Sequence, residues 1–72
     1  MKVRIIKGTL LRKHDHDGQD IGSTVLFPGE YAGSLGSSDD LVINISDGEY
    51  AYLSLHKVED KLVRGDLIVL EA

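Results

Sequence analysis

The densest cluster of reactive side chains in this chain of 72 residues is His14-Asp15-His16-Asp17-Gly18-Gln19-Asp20. Imidazole nitrogens and carboxylate oxygens are both ligands for zinc and related ions. His14 and His16 stand two apart, so on an extended strand both rings project to one side and could chelate one ion. The same composition suits a solvated turn, in which Asp15 and Asp17 hydrogen-bond to nearby backbone and Gly18 takes a left-handed conformation. The turn is the expectation, and a metal held by His14 and His16 is the alternative. A calcium loop of the helix-flanked type is excluded, because Gly18 comes too early and Leu26 stands where a bidentate glutamate is needed. No serine, histidine and acid stand at spacings that suggest a nucleophilic triad.

The elements that must position these residues read as strands. "KVRIIKGTLLR" is rich in β-branched and apolar residues, with a glycine suited to a bend, so residues 2–12 are expected to form one long, kinked strand. Further strands are expected at 22–27, 30–34, 40–46, 49–55 and 66–71, with a mobile Gly/Ser loop at "SLGSSDD" and a short turn around 57–60. No helical periodicity of useful length is evident. The terminal run "DLIVLEA" is apolar enough to need a partner on each available side, and the first strand is the obvious one, which would close a small barrel.

The strongest local signal is "DLVINISDGEYAYLSL", where two alternating runs flank Asp-Gly. Two registers compete. A two-residue turn at Asp47-Gly48 would set Ile43 and Ile45 against Tyr52 and Tyr50. A type I turn at Ser46-Asp47 with a left-handed Gly48 as a bulge pairs Ile43 with Ala51 and Leu41 with Leu53. The second is preferred, since it gathers Leu41, Ile43, Ile45, Ala51, Leu53 and Leu55 on one face. The other face then carries Val42, Asn44, Tyr50 and Tyr52 as a candidate partner-binding patch, either exposed or covered by the segment "FPGEY".

The order of long first strand, irregular loop, short strands, the hairpin "LVINISDGEYAYLSLHKVE" ending in a helical turn, and a closing strand resembles the SH3-like small barrels, including Tudor and KOW-type modules. The resemblance implies an all-β fold, a small SH3-like barrel of five or six antiparallel strands spanning residues 1–72 as one domain. It also implies binding of peptides, nucleic acids or proteins rather than catalysis. A second likeness concerns metal: Gly8, His14-x-His16, Asp20 and "VLFPGE" are similar to the first metal motif of the cupins. There two histidines and a glutamate hold the ion, whereas this sequence has aspartate, a late glycine at Gly29 and no second motif.

Composition bounds the function. At this length folding removes only about 60% of the surface exposed by the unfolded chain, so a deep enclosed active site is not expected. Without cysteine there is neither a disulfide nor a thiolate zinc site. No stretch has the length of a membrane span, and "MKVRIIKG" lacks the apolar run of a secretory signal, so a cytoplasmic setting is expected. The net charge of −4 is unevenly spread: the bases before Asp15 form one group, and Lys57 is the only base between Asp15 and Asp60. The basic first segment is therefore expected beside acidic neighbours, and the acidic remainder disfavours nucleic acid. "RGD" at 64–66 reads as a turn and "NIS" at 44–46 as a glycosylation acceptor only in a secreted chain. The expectation is a non-enzymatic binding module or small regulatory protein without cofactor, its partner another protein or a second copy. Alternatives are a small acidic phage-type inhibitor of a host protein and a cupin-like metal protein using His14, His16 and Asp20.

Overall fold

The computed structural model describes residues 1–36 and 40–71. Its strands are β1 (Lys2–Ile5), β2 (Thr9–His14), β3 (Asp20–Leu26), β4 (Gly29–Leu35), β5 (Leu41–Ser46), β6 (Glu49–Leu53) and β7 (Leu67–Glu71), with helix α1 (Leu55–Arg64) between the last two. They form one sheet of order β3-β2-β6-β5-β4-β1-β7, in which every pairing is antiparallel.

The alternation of side chains dictates the core. Val3 and Ile5 turn inward from β1, Leu41 and Ile43 from β5, Ala51 and Leu53 from β6, and Leu11, Leu26 and Leu67 complete the buried cluster. Tyr31, Ile45 and Val58 pack against it from partly buried positions. The hairpin has the expected pairing: Leu41 faces Leu53, Ile43 faces Ala51, Val42 faces Tyr52 and Asn44 faces Tyr50. Its irregularity lies elsewhere than expected. Ser46 pairs with Glu49 across Asp47 and Gly48, Gly48 is left-handed at φ 75°, and the extra residue falls between Asn44 and Ser46 on β5.

Three expectations are corrected. The strand expected over 2–12 is two strands, because the N–H groups of Ile6 and Lys7 both turn to the Asp66 carbonyl, at 2.9 and 3.4 Å, and leave the ladder. The first and last strands do pair, with Ile5 opposite Leu67 and Val3 opposite Val69. However, the sheet has seven strands rather than five or six, and the barrel is not closed: β3 and β7 are its two ends. The third correction is α1, where a strand to residue 55 and a short turn were expected. Ser54 caps it, its hydroxyl accepting the Lys57 N–H at 3.4 Å, and left-handed Gly65 ends it at φ 77°, donating to the Leu62 carbonyl at 3.2 Å. Leu55, expected on the core face, is thereby an exposed helical residue. The centre of the loop expected to be mobile, 37–39, lies outside the described residues.

Candidate functional site

The outer face of β5 and β6 is where the chemistry-bearing loop and the hairpin meet. Strand β2 lies beside β6, with Lys13 opposite Ala51 and His14 opposite Tyr50. Side chains diagonal across such a pair are within reach of long or aromatic groups, and the His14 ring stacks on Tyr52, centroids 4.6 Å apart and tilted by 56°. His16, two residues on, lies edge-on to Tyr50 at 5.3 Å, and its Nδ1 shares a 3.1 Å hydrogen bond with the Tyr50 hydroxyl. Two histidines two apart thus match two tyrosines two apart.

The tyrosines are not a second core. The segment expected as a possible cover, "FPGEY", is used elsewhere: Tyr31 packs on the core and donates its hydroxyl to the Phe27 carbonyl at 2.7 Å, while Phe27 is exposed. Tyr52 remains 38% exposed and Tyr50 is half-buried under His16. Val42, Asn44 and Tyr50 line a shallow groove of about 180 Å³ with Ala32, Gly33 and Ser34 of β4. On the other side Tyr52 borders a larger groove of about 390 Å³, with Leu10, Leu11, Arg12, His14, Ser23 and Lys57. The four residues singled out from the sequence therefore share one open face, flanked by grooves on both sides. Sequence reasoning missed the contribution of His14, Lys57 and Leu10 to it, since none shares a local pattern with the hairpin.

The metal-ligand set does not assemble. Asp20 receives the Arg12 guanidinium as a fork, Nε to Oδ2 and Nη2 to Oδ1, both at 2.8 Å, and also the Gly22 N–H at 2.9 Å. Hydrogen bonding from Arg12 and then from Gly22 holds the Asp20 carboxyl below its ordinary range, and the same pair raises Arg12. Asp15 is equally occupied, one oxygen accepting the N–H groups of Asp17 and Gln19 at 2.9 Å, beside left-handed Gly18. The loop is thus the turn expected, although Asp17 contributes its N–H and not its carboxylate. Among the described residues no three His, Cys, Asp or Glu side chains lie together as a metal site. His14, His16 and Asp20 do not fit the ion that the cupin likeness implied.

The basic first segment is paired as charge suggested: Arg4 and Lys2 with Glu30 at 2.9 and 3.6 Å, Arg12 with Asp20, and Lys13 with Glu49 at 3.1 Å. No described helix is long and apolar enough to cross a membrane. No protein family, curated protein or solved structure matches this chain.

Proposed function

We propose that this chain is a non-enzymatic binding module that holds another protein on the outer face of β5 and β6 through Tyr50, Tyr52, Val42 and Asn44. The observation that carries this reading is the position of the two tyrosines, outside the core with a groove on either side, Tyr52 exposed and Tyr50 only partly covered by His16. Tyrosine combines a large apolar ring with a polar tip and is enriched among residues that dominate interface energies. The histidines add preorganisation. Rings already fixed by stacking and by the Tyr50–His16 hydrogen bond lose less freedom when a partner arrives.

The test is affinity capture from the native host with the intact chain and with a Tyr50→Ser/Tyr52→Ser variant, followed by mass spectrometry. The variant is expected to keep its melting temperature within a few degrees, since neither ring belongs to the buried cluster, and to lose the captured partner. Retention of the same partner by the variant rejects the reading. Binding that collapses between about 50 and 500 mM salt would instead favour the acidic-inhibitor alternative, which depends on long-range charge.

A further inference from the structure

We propose that the groove between β2 and the start of α1 takes an extended segment of the protein partner, which pairs by its backbone with the open edge of Thr9–Arg12 and sets an acidic side chain against Lys57. This rests on the reading of the outer face as a protein-binding surface and names the part of the partner that the groove beside Tyr52 takes. The sheet forks there. All six residues of β2 pair with β3, but only Lys13 and His14 pair with β6, whose Tyr52 and Leu53 are paired with β5 alone. Along Thr9–Arg12 the side of β2 away from β3 therefore has no strand partner, and no loop backbone among the described residues bonds to it. Four residues of open edge span about 13 Å.

The groove of about 390 Å³ occupies this fork, lined by Leu10 and Arg12 from β2, Tyr52 from β6 and Lys57 from α1. Helix α1 reaches its far end, where Lys61 Nζ donates to the Thr9 hydroxyl at 3.3 Å. An unpaired strand edge is recognised by another extended backbone, and pockets for alternate side chains supply the specificity. That singles out a peptide segment over a compact small molecule. Leu10, 70% exposed, and the Tyr52 ring offer apolar surface to the segment's side chains.

Charge fixes the polar member of that segment. Although the chain carries −4 overall, no acid lines the groove. Arg12 is fully engaged by Asp20 and Ser23, so it offers no free charge there. Lys57 differs, because it enters none of the ion pairs among the described residues. Its own helix supplies no counter-charge. The first turn of α1 holds no acid, Asp60 is held by Arg64 at 3.3 Å, Lys61 occupies the position four residues on, and Glu59, two residues on, faces away. The missing counter-charge is a carboxylate on the incoming segment.

The probes are capped hexapeptides that alternate valine or leucine with threonine and carry one central glutamate or, in a matched set, one central lysine. Titrated to about 1 mM into the isotope-labelled intact chain, the glutamate set is expected to shift the amide resonances of Leu10–Arg12, Tyr52 and Lys57 and to bind at least several-fold more tightly than the lysine set. Lys57→Glu should reverse that preference. It places an acid three residues after the Ser54 cap, which favours the helix, and circular dichroism checks that the variant is folded. Of two glutamate peptides N-methylated at alternate residues, one should lose binding and the other keep it. Failure of the glutamate set to bind at that concentration overturns the proposal, as does a preference unchanged in Lys57→Glu or binding kept by both N-methylated peptides. Equal binding by a single capped glutamate also overturns it, since the groove would then be a small-anion site. In the capture experiment, a partner lost with Tyr50→Ser/Tyr52→Ser but kept by Lys57→Glu and undisplaced by the glutamate peptides overturns this inference and leaves the tyrosine reading standing.

Discussion

Arg12 shows how much a single exposed side chain can decide. By taking both oxygens of Asp20 and donating Nη1 to Ser23 at 2.8 Å, it ties β2 to β3 and removes the carboxylate that a metal would need. Glu30 is likewise held below its ordinary range, first by the Arg4 hydrogen bond, and Glu49 first by the Ser46 hydroxyl and then by Lys13. In each case the folded chain binds its proton less readily than the unfolded chain. The stability these groups contribute is thus complete above the unfolded carboxylate value, about 4, and is lost as pH falls through the lower folded values. Melting temperature is expected to be flat in these groups' contribution from about pH 5 to 7 and to decline below about 4, with a shallower decline in Asp20→Asn. The Arg12–Asp20 and Arg4–Glu30 pairs are solvent-exposed while Lys13–Glu49 is part-buried, so added salt should flatten the decline chiefly through the first two. None of this pairing is visible in the spacing of His14, His16 and Asp20, because Arg12 lies eight residues from Asp20 and meets it only across the β2–β3 turn.

At the scale of elements, the hairpin was legible and the helix was not. Period-2 alternation around Asp-Gly determines which face of β5 and β6 is buried, and a slip by one residue would expose Ile43 and Leu53. Helix α1 has a cap at each end, Ser54 and Gly65, and apolar residues at 55, 58 and 62. Its first residues, though, continue the alternating run "YLSL", and only Val58 reaches the core. Leu55, Val58 and Leu62 do keep helical spacing, but the segment is only ten residues long and its start extends a strand-like run, which masks the period. Its C-terminus depends instead on Gly65, where an added Cβ would meet nothing but the backbone would remain left-handed. Gly65→Ala is expected to cost about 1 kcal/mol by chemical denaturation, the usual penalty for a side chain in that conformation. The division of 2–12 into β1 and β2 was illegible for a related reason: both halves are apolar, and the break comes from the remote carbonyl of Asp66.

For the whole molecule, the sheet curls far enough to join first strand to last but not far enough to join its own ends. The pairing of β1 with β7 followed from apolar content, whereas closure also needed β3 to reach β7, which depends on strand number and tilt that no local pattern records. The buried cluster draws on six strands yet is small, so each member matters. Leu53, fully buried on β6 opposite Leu41, is the sharpest probe. Leu53→Ala is expected to lose about 2–5 kcal/mol, enough to leave a domain of this size largely unfolded by circular dichroism at 37 °C.

The joining of β1 to β7 also has a temporal meaning. Strands β4, β5 and β6 are consecutive neighbours and can assemble from nearby residues, whereas Lys2–Ile5 must find Leu67–Glu71 across nearly the entire chain. Closing so long a loop is entropically slow, so the three-stranded meander should form before the chain ends meet. In stopped-flow refolding, a substitution at the Asp47–Gly48 turn is expected to slow folding, while one at Leu67 mainly speeds unfolding. The same strand that closes the fold would then be the last to arrive and the first to leave.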